Sequence, residues 1–218
     1  MDKKIKQTVI INRAVSGSGK TTISKCLMNY LKESGINAGI YSTDDLFTQN
    51  GRYVFDLAKL WENHLVTLSE FSYDLQAGRS VVICDNMNLL PWQSQPYTDA
   101  ARNYGYQILF INYLTRGLDK HLAAQVVTPD KPDAHGLSEE LLVRFIDDFN
   151  NYSDLLDKNN PIDPERHYAY IWNNELLRRD RVETPVNHFD ADYVITMQPD
   201  EYHEMKQKIG PMILELIK

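Results

Sequence analysis

The apolar run Thr8-Val9-Ile10-Ile11 is followed directly by Asn12-Arg13-Ala14-Val15-Ser16-Gly17-Ser18-Gly19-Lys20-Thr21-Thr22. Behind it comes a helical pattern over residues 20–33, with Ile23, Leu27, Tyr30 and Leu31 on one face and Ser34-Gly35 as its stop. A buried strand, a glycine-rich turn and a helix in that order make the first βα unit of a parallel sheet. The turn matches G-x-x-x-x-G-K-[ST] with Ala14 at the first glycine position. That pattern exists to curl backbone N–H groups around a phosphate, extend a lysine to the β/γ oxygens and offer a hydroxyl to Mg²⁺. Alanine fits the first position where φ stays negative. Ser16, Gly17, Ser18, Gly19, Lys20, Thr21 and Thr22 are therefore the expected ATP-binding residues, with Thr21 on the Mg²⁺ and the helix dipole adding to the anion site.

The rest of the chain repeats the strand–helix theme. Strands are expected at 7–13, 37–42, 80–85, 106–113 and 191–197. Helices are expected over 57–75, 91–104, within 116–127, from Ser138 along Leu141, Phe145, Phe149 and Tyr152, at 168–178, and from about Pro199 until Gly210-Pro211 breaks it. Asn50-Gly51 marks a turn. The fold class that follows is α/β: a three-layer P-loop NTPase fold, a mainly parallel five-stranded sheet with helices on both faces and a lid insert. One domain over 1–218 is expected, with a proline-bearing lid at about 116–137 and a C-terminal strand–helix completion at about 188–218.

In such a sheet the strand C-termini open on the ligand crevice, so Asp44 and Asp45 after the second strand, and Asp85 after Ser80-Val81-Val82-Ile83-Cys84, should face the phosphates. Asp85 has the position of a Walker B acid near metal or substrate. The alternative for the acid pair is helix capping, for which Asp45 is the better candidate. His64 lies on a helical stripe and reads as a packed residue. Trp61, Trp92 and Trp172 read as core, although single aromatics can stack bases. Arg178-Arg179-Asp180-Arg181 reads as a solvated helix end.

Composition sets further bounds. The net charge of −7 over 218 residues argues against wrapping long duplexes, which relies on many Lys/Arg–phosphate contacts, and leaves open a grip on one nucleic-acid end. No stretch approaches a membrane span, Met1–Lys6 lacks the apolar core of a secretory signal, and a cytoplasmic location is expected. Cys26 and Cys84 sit in an apolar helix face and an apolar strand, and read as reduced, buried thiols.

Taken together, Arg13–Thr22, Ser42-Thr43-Asp44-Asp45, Tyr53-Val54-Phe55-Asp56, Asp85-Asn86-Met87-Asn88 and His135-Gly136-Leu137 resemble the polynucleotide 5′-hydroxyl kinase-like, AAA-type group of P-loop kinases, which is related to the zeta toxins. The resemblance spans about residues 7–157. It implies an ATP/Mg²⁺-dependent kinase acting on a polynucleotide 5′-hydroxyl. Asp44 would be the general base, Lys20 would stabilise transferred charge, and Asp85 with Asn88, and Asp45 beside them, would orient the acceptor. At the lid, Ala123-Ala124-Gln125 stands where relatives carry arginines, so Arg116, Lys120, Lys131 and Arg144 are the residues left to touch phosphates. After the acid pair, Leu46-Phe47-Thr48 likewise stands in place of an arginine. A small-molecule acceptor such as a nucleotide sugar, or a non-catalytic ATP-gated interaction module, are the competing expectations. Oligomeric state is open.

Overall fold

The computed structural model describes residues 5–129, 131–132, 134–173, 176 and 178–218. In chain order the strands are β1 (Thr8–Arg13), β2 (Ala38–Tyr41), β3 (Thr48–Gln49), β4 (Arg52–Tyr53), β5 (Val81–Cys84), β6 (Gln107–Tyr113), β7 (Tyr170–Asn173), β8 (Arg178–Arg181) and β9 (Tyr193–Met197). The helices are α1 (Lys20–Glu33), α2 (Leu60–Gln76), α3 (Pro91–Asn103), α4 (Leu118–Gln125), α5 (Glu139–Asn151) and α6 (Tyr202–Ile217).

Five strands form one sheet in the order β2-β5-β1-β6-β9, every pair parallel. β1 is its centre, and all six of its residues are buried. Alternation along the strands sorts the core into two layers. Val9, Ile11, Val82, Cys84, Ile108 and Phe110 face Phe71 and Leu75 of α2, Tyr97 and Ala101 of α3, and Leu142 and Phe149 of α5. Ile10, Val81, Ile83, Leu109 and Ile111 face Ile23, Leu27 and Leu31 of α1 and Met205, Ile209, Ile213 and Ile217 of α6. Strands covered on both faces explain the near-continuous apolar runs. Both cysteines are free; Cys84 is buried, and burial pushes its thiol up to about 12, while Cys26 is half-buried.

Three expectations are corrected. Gly210-Pro211 does not break the last helix: α6 begins at Tyr202 and runs through Pro211 to Ile217. A proline inside a helix costs about 3 kcal/mol. Met205, Ile209, Ile213 and Ile217 return roughly 1.5–3 kcal/mol each on burial, so packing outweighs the defect. Gly210 abuts the Tyr30 ring, where a Cβ would overlap it. Residues 168–178 are not a helix but lead into the antiparallel β7–β8 hairpin, residues 174, 175 and 177 of that stretch lying outside the described residues. Its arginines are strand residues that pair with acids, Arg178 with Asp180 and Arg181 with Glu165. Trp61 is not core but 74% exposed. Trp92 does pack, edge-on to Tyr152 and Tyr170.

Arg13 ends β1 and is wholly buried. Its guanidinium donates to Asn112 Oδ1 and Ser153 Oγ, both at 3.0 Å, and to the carbonyls of Leu89 (3.0 Å) and Phe149 (2.6 Å). It lies between the Phe149 and Phe189 rings, at 4.1 and 5.0 Å from their centroids. Burial pushes the group down to about 9, with Asp154 pulling the other way. It therefore ties the strand that carries the glycine-rich loop to α5 and to the loop before α3.

Candidate active site

The glycine-rich turn joins β1 to α1 above the sheet's C-terminal edge. Gly17 and Gly19 take φ of 81° and 89°, a region closed to most side chains, whereas Ala14 does not. Ala14 instead donates its N–H to the Met87 carbonyl at 2.8 Å, which ties the loop to the segment after β5. Gly19 caps α1, whose first turn holds no acid, so the helix N–H groups and dipole meet no competing carboxylate. Lys20, Thr21 and Thr22 line a cleft of about 430 Å³ beside the loop, with Ser16, Gly17, Gly19 and Lys25. Ser18 is buried beneath it, and its carbonyl accepts from Arg116 Nη2 at 3.1 Å.

Across the cleft stands a 3₁₀ turn, Thr43–Phe47, held at Thr43 by His64 and by an Asn86 that Tyr97 fixes in turn. Asn86 Oδ1 accepts from the Thr43 N–H at 2.9 Å, Asn86 Nδ2 donates to Tyr97 Oη at 3.0 Å, and Thr43 Oγ1 meets His64 Nδ1 at 3.1 Å. His64 is thus a packed residue whose pKa burial lowers, with Asp44 acting against the shift. Asp44 and Asp45 both line the cleft. No side chain caps the turn, so neither acid serves as a cap. Asp44 Oδ1 accepts from Tyr53 Oη at 3.2 Å. Burial and Asp44 push the Tyr53 phenol well above its usual range, which keeps it a donor. Desolvation, with Asp85 and Asp44 nearby, pushes the Asp45 carboxyl up.

The Asn50-Gly51 turn, both residues at positive φ, folds β3 onto β4 and delivers Tyr53 to Asp44. Tyr53 also stacks on His135, centroids 4.1 Å apart and planes 19° apart. His135 Nε2 lies 3.7 Å from Asp44 Oδ2, and its Nδ1 lies 3.4 Å from Ser16 Oγ.

Asp85 is fully buried below the cleft. Asn12 Nδ2 and Ser24 Oγ donate to its Oδ1, the latter at 3.1 Å, while Oδ2 has no hydrogen-bond partner among the described residues. A buried carboxylate oxygen left without a partner has the chemistry of a cation ligand, and the Thr21 hydroxyl lines the cleft above it. Asn88 is placed otherwise than expected. At φ 48° it is buried, and its amide donates to the Asn12 carbonyl (2.8 Å) and the Asn86 carbonyl (3.3 Å), so it braces the β5 exit and does not line the cleft.

Arg116, Ala124, Gln125, Lys131, Ala134 and His135 line the cleft's other side. Arg116 lies over the Tyr202 ring at 4.8 Å. His121 is buried: its Nε2 accepts the Arg116 N–H at 3.1 Å, so Nδ1 carries the proton given to the Ser16 carbonyl at 2.8 Å. Burial, aided by Arg116, lowers the His121 pKa, and the bond to Ser16 opposes this. Gln125 Nε2 donates to Ser16 Oγ at 3.2 Å, and Ala124 lies so near Gly17 that a Cβ there would overlap it. The alanine and glutamine of α4 therefore fit the loop's backbone directly. Lys131 lines the cleft and donates to the Ala124 carbonyl. Lys120 is exposed on α4 outside the cleft, and Arg144 stacks on Trp172 at 3.6 Å, so neither is brought to the phosphate loop. Sequence reasoning missed Tyr53, Asn86, Gln125, Lys25 and Tyr202 as site residues. Only Tyr53 and Asn86, inside the quoted motifs, carried a signal.

No family model matches the chain. Over 146 residues, 66% of its length, it is 29% identical to NEDD4-binding protein 2 of Homo sapiens, and that stretch is 8% of the human protein. Among solved structures it superposes on a provisionally assigned kinase from Chloroflexus aurantiacus with TM-score 0.53 and 14% identity, covering 97% of this chain and 98% of that one. The APS kinase CysC of Mycobacterium tuberculosis gives TM-score 0.48 at 16% identity, over 97% and 99%. The sheet order, the loop and the first of these likenesses define the fold as that of the P-loop kinases. No helix among the described residues is long and apolar enough to cross a membrane.

Proposed function

We propose that the protein is an ATP- and Mg²⁺-dependent phosphotransferase acting on a hydroxyl, with the 5′-hydroxyl of a polynucleotide end as acceptor. The observation that carries this reading is the placement of Asp44, oriented by Tyr53, in the same cleft as Lys20 and the glycine-rich loop. Phosphoryl transfer asks little more of a protein than positioning, charge stabilisation and one base. Asp44 takes the acceptor's proton, Lys20 offsets charge on the transferred group, and the loop's N–H groups hold the donor phosphates. Thr21 and Asp85 would hold Mg²⁺, which would supply neutralisation of the phosphates' charge. Residues 116–137 act as the lid of a single domain that β9 and α6 complete.

A base-bearing acceptor is supported by the rings gathered at Asp44. Phe47 and Phe55 lie 5.1 Å apart, Tyr53 and Phe55 lie near-parallel at 6.5 Å, and Phe55 is 52% exposed, a face on which a base can stack. A smaller hydroxyl acceptor is a second reading, favoured by the net charge of −7. The test is phosphate transfer from labelled ATP to 5′-hydroxyl DNA and RNA oligonucleotides and to sugar nucleotides. Transfer to oligonucleotides is expected. Transfer to sugar nucleotides alone would replace the acceptor, and ATP binding with no transfer at all would replace the enzyme by an ATP-gated interaction module.

A further inference from the structure

We infer that Lys25 is a specificity-determining residue: its ammonium group takes a phosphate ester that the acceptor carries close to its reacting hydroxyl. The inference deepens the phosphotransferase reading and rests on it.

Helical spacing sets Lys25 on the face of α1 that carries Thr21 and Thr22, and all three line the cleft. Ile23, Leu27 and Leu31 bury another face of the helix against the sheet. Lys25 itself is exposed, so its charge stays solvated until an anion enters. Across the cleft lie Ser42, Asp44, Asp45 and Thr48. Desolvation, with Asp85 and Asp44, pushes the Asp45 carboxyl up, and Lys25 opposes that shift more strongly than Lys20 does. The charge of Lys25 is thus felt at the acid pair more than that of the loop lysine.

Of the lysines and arginines that line the cleft, the other three are committed. Lys20 belongs to the loop, Arg116 is bonded to the Ser18 carbonyl and covers Tyr202, and Lys131 is bonded to the Ala124 carbonyl. Lys25 makes no hydrogen bond or ion pair among the described residues. The need for a cation here is electrostatic. Asp44 and Asp45 line the cleft and Asp85 is buried below it, in a chain of net charge −7. An anionic acceptor is therefore repelled at the place where its hydroxyl must meet Asp44, unless a positive charge offsets the carboxylates. A lysine supplies a compact charge on a flexible stem, and a charge-assisted bond to phosphate is among the stronger kinds. Ser42, whose side chain caps no turn, adds a neutral donor on the facing wall. A phosphate so placed has two sources. A polynucleotide 5′ end carries it on the 3′ oxygen of the same sugar, and a sugar nucleotide carries it on the anomeric carbon of the sugar that bears the hydroxyl.

The test reads binding, with the donor site filled by Mg²⁺ and a non-hydrolysable ATP analogue. Calorimetry compares a nucleoside 3′-monophosphate with its nucleoside, and a sugar 1-phosphate with the free sugar, for wild type, Lys25→Ala and Lys25→Arg. Lys25 is exposed on a helix, so both variants are expected to fold. Wild type is expected to bind at least one phosphorylated probe at least about tenfold more tightly than its uncharged counterpart. Lys25→Ala should bring that ratio to within about twofold without changing affinity for the uncharged counterpart, and Lys25→Arg should restore most of it. A ratio that Lys25→Ala leaves intact overturns the inference, as does a wild type that favours neither phosphorylated probe. A Lys25-dependent ratio confined to the sugar phosphate removes the polynucleotide acceptor and leaves Lys25 in its role. A Lys25-dependent ratio in a protein that transfers no phosphate from ATP removes the phosphotransferase reading and leaves the anion site. Transfer to oligonucleotides with a ratio indifferent to Lys25 does the reverse.

Discussion

The two walls of the cleft are built differently. On the loop side the chain is fixed by its backbone: β1 is buried over its whole length, Gly17 and Gly19 take conformations few residues can share, and Arg13 anchors the strand's end. On the Asp44 side the chain is fixed by a handful of side-chain bonds, Asn86 to Thr43 and Tyr53 to Asp44 chief among them. The surface beyond it is apolar and open, with Phe55 52%, Leu57 61% and Trp61 74% exposed. A site for a constant donor can be set once into the core. On the proposed reading, the acceptor's wall hangs on side chains that can change without unmaking the sheet.

Several substitutions break or sharpen that contrast. The largest effect belongs to Lys20→Ala, which should abolish both nucleotide binding and transfer; tight ATP binding by this variant in calorimetry would mean the loop wall does not anchor the donor. Asp44→Asn should leave nucleotide affinity intact and slow transfer by about 10²–10⁴-fold, and wild-type turnover would remove the base from the opposite wall. Arg13→Met, away from the chemistry, should cost about 3–5 kcal/mol by leaving the buried Leu89 carbonyl and the Asn112 amide oxygen without their donor. Calorimetric melting should fall by on the order of 10 °C.

A smaller effect is pH-dependent. Burial lowers the folded pKa of His121 below its ordinary 6.5, so the unfolded chain binds the proton more readily. Its contribution to stability is intact above about pH 6.5 and is lost progressively as pH falls from there toward the lowered folded pKa. His121→Gln should flatten the acid limb of urea-denaturation stability against pH, and an unchanged limb would assign it to other groups. The smallest effect is that of Trp61→Ala, which should shift stability by less than about 0.5 kcal/mol, since the ring is exposed. A large loss of melting temperature would show that the open wall is built like the closed one.

The loop wall was legible in sequence because its physics is local. Uninterrupted apolar runs announced β1, β5 and β6, and the glycines with Lys20 announced the anion site. Asp44 was legible from its place after the second strand. The relations that orient it were not: Tyr53, Asn86 and His135 converge on the Thr43–Phe47 turn from three separate segments, and no spacing along the chain records that. The β7–β8 hairpin had a period-two signal in Tyr168, Tyr170 and Trp172, which the flanking charges obscured. Arg179 and Arg181 lie over two of those rings, and Arg144 over the third. Pro211 misled because a local helix penalty is outweighed by a nonlocal gain, burial against α1. Arg144 and Lys120 could not be told from Arg116 by charge alone, since only docking against Ser18 and Tyr202 separates them.

The ties of Arg13 also have a bearing on time. Its partners lie from 76 to 140 residues further along the chain, at Leu89, Asn112, Phe149 and Ser153. A guanidinium enters a protein interior only when acceptors are ready to receive it. On the ribosome, then, the glycine-rich loop emerges before the segments that hold Arg13 and settles only once Ser153 has followed. Closure of such long loops is slow, which makes the loop wall late to lock although it precedes its partners along the chain.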